Sequence, residues 1–258
     1  MAGTSNADGG AGIDPMHQFE VHPIIELPTI AGVDTSFTNA SLWMVLAIGL
    51  SSLFLIFASR RTSIVPGRLQ LMGEMSYSFV ANMVKENVGT EGMKYFPFIF
   101  SLFIFILFCN MLGMLPYSFT VTSHLIVTFA LAATVFLLVT LVGFARHGVG
   151  FLKLFVPSGI PVVLLPLLVV IEVISYLTRP VSLSVRLFGN MMAGHTMLKI
   201  FGGFVVGLSS AGLIPLAIAP FALMVAFTGL ELLIAGLQAY VFTILTCIYL
   251  NEAIHMDH

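Results

Sequence analysis

Two arginines, an asparagine and a histidine stand inside one long apolar run, residues 179–196, RPVSLSVRLFGNMMAGHT. They are Arg179, Arg186, Asn190 and His195. A charged side chain at the centre of a bilayer costs roughly 3 kcal/mol on insertion scales and more in simulation. Arg186 has a turn or more of apolar helix on each side, too far from either end to snorkel to an interface. It must be paired, face water, or work. On a helix advancing about 100° per residue, Glu172, Ser175, Arg179, Ser182, Arg186 and Asn190 lie within roughly 40° of one direction. Such a polar stripe needs a protein or water partner along its length. A second set lies further on. Glu231 and Gln238 are seven residues apart and thus about 20° apart around a helix, and Tyr249 continues that direction. An ionised carboxylate in hydrocarbon has to be neutralised or hydrated, whereas a lone Gln also serves as interhelical glue. His195 lies about 180° from Arg186 on an ideal helix, so the two need not share a cavity. A satisfied core histidine is the competing reading of His195.

These residues need helices long enough to hold them in a membrane. Apolar residues make up 58% of the 258-residue chain and charged residues 9%. A soluble domain carries about a quarter charged residues, so this is an integral membrane protein. With ten Lys plus Arg, no basic cluster and a net charge of −2, a nucleic-acid reader is excluded. Cys109 and Cys247 both sit in apolar runs without metal-ligand neighbours and read as small buried hydrophobes. The expected fold is an all-α polytopic membrane protein. Five crossing helices are placed at about residues 41–58, 95–115, 125–145, 162–207 and 221–251, with an interfacial amphipathic helix at about 68–88. In that helix Gln70, Glu74, Ser78, Asn82 and Lys85 recur on one face and Leu69, Met72, Phe79, Val80 and Met83 on another, a pattern that suits the interface plane or packing on the protein.

The polar segment 1–39 contains no Lys or Arg and lacks the signature of a secretory or transit signal. Arg60 and Arg61 put the end of the first span on the inner side, leaving this segment outside and residues 40–258 as one membrane domain. Arg146, His147 and Lys153 mark the next inner loop, with His147 read as a solvated loop residue. Pro116 ends the second span, and YSFTVTSH, residues 117–124, forms an uncharged outer turn. Asn110 is expected to make an interhelical hydrogen bond. Pro157, Pro161 and Pro166 break the re-entry to the fourth span. That span carries Pro180, which is expected to bend it, and Pro215 and Pro220 separate it from the fifth. Gly189 and Ala193 offer a close approach to another helix. The last two spans exceed the bilayer thickness and are expected to tilt strongly.

SLSVRLFGNMMAGH, LQAYVFTILTCIYL and NMLGMLPYSFTVTSHL carry a resemblance. Together they resemble subunit a of the F-type ATP synthases, close to its alphaproteobacterial and mitochondrial branch, over residues 37–258. The resemblance implies a proton-translocating stator beside a c-ring, held by b-type peripheral stalk subunits, with no cofactor or metal and no catalytic chemistry of its own. It implies an inner membrane, bacterial or alternatively mitochondrial. Arg186 would separate two aqueous half-channels. The outer one would pass Asn190, His195, Glu231 and Gln238, and the inner one Glu172, Ser175 and Ser182. In some bacterial relatives the acid and the histidine occupy the positions of His195 and Glu231 in exchanged order, which suits a proton relay. Some also carry an acid where this chain has Gly113, so no relay is expected on the second span. A haem carrier would need histidine pairs on facing helices, and only His195 lies well inside an apolar segment. A secondary transporter would show an internal repeat, and none is evident.

Overall fold

The computed structural model describes residues 20–25, 36–60, 66–115, 118–156 and 164–255. Arg61, Pro116, Pro157, Pro161 and the tail ahead of Glu20 lie outside the described residues. Five helices are long and apolar enough to cross a membrane, and the chain is an all-α polytopic membrane protein. They are α1 (Asn39–Ser59), α3 (Phe96–Gly113), α4 (Leu125–His147), α5 (Leu165–Ser210) and α6 (Ile214–Ile254). The amphipathic segment is α2 (Arg68–Val88). Ahead of α1, two short antiparallel strands, Pro23–Ile25 and Phe37–Thr38, are tied down by Asn39, whose Nδ2 donates to the Glu20 carbonyl at 3.0 Å. Thr38 caps α1 through Ser41 N.

Helices α5 and α6 form the spine. At 1.5 Å per residue the 46 residues of α5 and the 41 of α6 reach about 69 and 62 Å, twice a hydrocarbon core of about 30 Å. Neither fits upright. Three residues join them, and Gly212 takes the positive φ of 76° that lets the chain reverse. Pro166 and Pro215 sit in the first turns of their helices, where a missing N–H costs nothing. Pro220 does not break the chain as expected. It lies within α6, which begins seven residues ahead of the expected start at Phe221. The buried face of α5 is Tyr176, Pro180, Leu183, Leu187 and Met191, a helical stripe. That of α6 runs Glu231, Ala235, Gln238, Phe242, Thr246 and Leu250.

Against this pair pack α3 and α4, and the core joins Ile99, Phe103 and Ile106 to Val135, Val139, Leu183, Leu187 and Phe242. The second half of α2 enters the same core through Val80, Met83, Val84 and Val88, while Leu69, Met72 and Met75 in its first half remain exposed. The first half of α2 packs instead on α1, where Gly73 comes so close that an added Cβ would stand 2.7 Å from Ala58 Cβ. A 3-10 segment, Gly148–Phe155, follows α4 and lays Phe151 against Gly143. His147 is no solvated loop residue. It closes α4, and its Nε2 donates to the Ile254 carbonyl at 3.2 Å, satisfying one of the open carbonyls at the end of α6.

Candidate functional site

Two contacts fix the register of the α5–α6 pair. Midway along the pair, His195 of α5 meets the Glu231 carboxylate of α6, with side chains 11% and 5% exposed. Near the C-terminus of α6, Arg179 meets Glu252. In an antiparallel pair with those two contacts, Gln238 lies level with Asn190, between them. Glu231 reaches α5 because Gly194 carries no side chain. A Cβ there would stand 2.8 Å from Glu231 Oε1 and 3.1 Å from its Cδ.

The imidazole of His195 is held on every side. Nδ1 is shared between the Met191 carbonyl, at 3.0 Å, and the Glu231 carboxylate. Nε2 lies 2.8 Å from the Gly113 carbonyl and 2.9 Å from Thr120 Oγ1. Carbonyls and a carboxylate accept only, so the full set of partners is satisfied when both ring nitrogens carry hydrogen. His195 is thus no lone core histidine. Its partners come from α5, α6, the end of α3 and the α3–α4 turn.

The described part of that turn is packed into the protein. Phe119, Thr120, Val121, Thr122 and Ser123 are buried. Ser123 Oγ donates to the Thr120 carbonyl at 2.6 Å, and Ser118 and Thr120 both donate to the Gly113 carbonyl, at 3.0 and 3.2 Å. His124 stacks on Phe119 with ring centroids 4.8 Å apart, and burial pulls its pKa below the ordinary histidine value. One turn before Gly113, Asn110 is fully buried and its Nδ2 donates to the Ala235 carbonyl on α6 at 3.1 Å, the interhelical bond expected of it. Its Oδ1, Thr122 Oγ1 and His124 Nε2 are buried and meet no protein partner among the described residues. Groups of that kind are commonly satisfied by water.

The other cation is treated differently. Arg179 lies between two aromatic rings, its guanidinium carbon 5.2 Å from the Tyr176 centroid and 5.0 Å from that of Tyr249, and pairs with Glu252. The Tyr176 hydroxyl lies 2.8 Å from Thr140 Oγ1 of α4, extending the clamp to a third helix. Arg186 is exposed, with Val181 and Val185 exposed beside it, and makes no ion pair or side-chain hydrogen bond among the described residues. On the same stripe Ser175 and Ser182 are exposed and Glu172 is half-buried. Asn190 is half-buried and Gln238 buried. Gly189, expected to receive a neighbouring helix, has nothing within 4 Å of an added Cβ. The structure thus joins His195 to Glu231 and leaves Arg186 on an open face. Cys109 and Cys247 are buried free thiols, and no group of three or more metal-binding side chains occurs among the described residues.

The family model described as ATP synthase A chain matches residues 40–251. The chain belongs to the ATP synthase A chain family. Proteins called ATP synthase subunit a are similar over nearly the whole length. That of Parvibaculum lavamentivorans is 57% identical over 258 residues, 99% of each chain. That of Pelagibacter ubique is 57% identical over 95% of this chain and 99% of its own. That of Rhizobium rhizogenes is 58% identical over 93% and 97%. Arg186, Asn190, His195, Glu231 and Gln238 were visible in the sequence by type and spacing. Thr120, Gly113, Gly194, Tyr176 and Glu252 were not. Thr120 is an ordinary turn residue by sequence, and Gly113 acts through its carbonyl, which no side-chain pattern encodes. Glu252 was recoverable in principle, since Arg179 required an acidic partner.

Proposed function

We propose that this chain is the proton-translocating stator subunit of an ATP synthase membrane sector in a bacterial inner membrane, working against a c-ring and anchored by b-type peripheral stalk subunits. The observation that carries the reading is Arg186: a guanidinium exposed among apolar side chains, on the face where Gly189 is also open. A charge there requires an outside partner of opposite sign. A carboxylate passing on a rotor is such a partner. The fixed positive charge favours the ionised carboxylate as it passes and repels protons and hydronium, which keeps two half-channels apart. Arginine suits this because its charge cannot be lost at any working pH.

On the outer side, protons reach the rotor by way of His195, Glu231, Asn190 and Gln238. The His195–Glu231 pair and the buried polar atoms of Asn110, Thr122 and His124 support a hydrated path there. On the inner side, Glu172, Ser175 and Ser182 lead protons away along the exposed face of α5. Each proton crossing releases about 2.3 kcal/mol per 100 mV of membrane potential, so several are needed per ATP.

The test is ATP-driven proton pumping in inverted vesicles carrying the whole synthase. Arg186→Ala is expected to abolish coupled pumping. Arg186→Lys should fail substantially too, because a lysine keeps the charge but loses the planar fork and can release its proton when desolvated. Normal pumping by Arg186→Ala would overturn the reading.

A further inference from the structure

The α3–α4 turn touches the His195–Glu231 pair through Thr120, and the contact is chemically specific. Thr120 is 2% exposed, and its Oγ1 stands 2.9 Å from His195 Nε2 and 3.2 Å from the Gly113 carbonyl. The Gly113 carbonyl stands 2.8 Å from the same Nε2. Because a carbonyl only accepts, the Thr120 hydroxyl gives its hydrogen to Gly113 and turns its lone pairs toward Nε2. Both groups facing Nε2 are then acceptors, and Nε2 is held as N–H. Nδ1 faces the Met191 carbonyl and the Glu231 carboxylate, and of these only the carboxylate can take a proton.

We propose that Thr120 is a positioning residue for the proton relay: its hydroxyl, with the Gly113 carbonyl, fixes the Nε2–H of His195 and leaves Nδ1 as the nitrogen that exchanges a proton with Glu231. In the exchange the Nδ1–H bond breaks and an O–H bond forms on the Glu231 carboxylate, so the ring goes from imidazolium to the neutral Nε2–H tautomer and the acid from charged to neutral. The close fit of the turn supports this. A Cβ at Gly113 would meet Thr120 Cγ2 at 2.7 Å, so the backbone of α3 comes near enough for its carbonyl to share the ring nitrogen. The titratable group against the ring is Glu231 on α6; by sequence position, Lys199 follows one turn along α5 and His124 stands four residues beyond Thr120.

This inference rests on the proton-stator reading and is tested in the same vesicles, with pumping followed against lumenal pH, the side equivalent to outside. Thr120→Val keeps the shape and removes the hydroxyl. It should slow pumping about tenfold, the size expected when one hydrogen bond to a charged group is lost. Its pH profile should move toward acid, since the lost bond favoured the protonated ring. Thr120→Ser restores the hydroxyl and should recover most of the rate and the original profile. A wild-type rate and profile for Thr120→Val would overturn the inference, as would equal slowing by Val and Ser with the profile unmoved, the signature of packing alone. Arg186→Ala separates the two levels. If it pumps normally, the stator reading falls; if it is silent while Thr120→Val is wild type, only the role of Thr120 falls.

Discussion

At the scale of single residues, chemistry here depends on who stands beside each polar group. Glu231 is set against His195 by the absence of a side chain at Gly194. Gly194→Ala would place a methyl 2.8 Å from the carboxylate oxygen. The oxygen lies at the end of a flexible side chain, so the helix pair should survive while Glu231 swings off the ring. Displacement of a reacting group by about 1 Å costs roughly a hundredfold in rate. We therefore expect Gly194→Ala to express and assemble normally but to pump ten- to a hundredfold more slowly, read as subunit content by immunoblot against proton flux. Loss of assembly in parallel with flux would mean that Gly194 serves packing alone.

Among the elements, the α5–α6 pair is clipped at two levels, midway along its length and near the C-terminus of α6, and the clips differ. The Arg179–Glu252 pair, flanked by Tyr176 and Tyr249, is held without a visible part in proton movement. Glu252→Gln leaves Arg179 without its counter-charge. Breaking a fully buried pair costs about 3–5 kcal/mol. Glu252 is 38% exposed, so solvent reduces this to about 1–2 kcal/mol. The check is a lower unfolding temperature of the detergent-solubilised complex. The double change Arg179→Met with Glu252→Leu should recover part of the loss, since an apolar pair needs no counter-charge.

How much of this could be read from sequence also becomes clear among the elements. The bounds of α2 and the existence of five apolar helices follow from hydrophobic length and periodicity. The polar stripe through Glu172, Arg179 and Arg186 was legible too. Its meaning was not, because the buried stripe of α5 is the same series moved on by one residue, Tyr176, Pro180, Leu183, Leu187 and Met191, about 100° around the axis. Periodicity gives the angle between stripes but not which of them faces the protein. Hence Arg179 was found paired and Arg186 open, although both lie in one stripe. The packed α3–α4 turn escaped for a related reason. Ser and Thr read as solvated loop residues until another helix supplies an acceptor.

Across the whole molecule, the two ends of the α5–α6 pair must lie on opposite sides of the membrane. By the positive-inside rule the basic residues Arg60, Arg146 and Lys153 are expected on the inner side, and the end of α6 with them. His255 is exposed just beyond α6. The native cysteines, Cys109 and Cys247, are buried, so a new thiol will be read against a low background. His255→Cys should react with a membrane-impermeant maleimide in inverted vesicles and not in intact cells. Labelling in intact cells would reverse the orientation and exchange the inner and outer assignments of the two clips.

The open face around Arg186 also bears on manufacture. A newly made copy, before any partner arrives, presents a guanidinium flanked by valines to lipid. The bilayer answers such a defect by thinning and drawing headgroups and water inward, at a cost that a cover of complementary charge removes. The solitary chain is therefore an unfinished article with a visible blemish, one that membrane quality control can recognise. Synthesis of this subunit ahead of its neighbours should yield copies that are short-lived, and supply of the rotor first, or alongside, should lengthen their life. On the stator reading, the charge proposed to serve transport also favours assembly in which the rotor is already present.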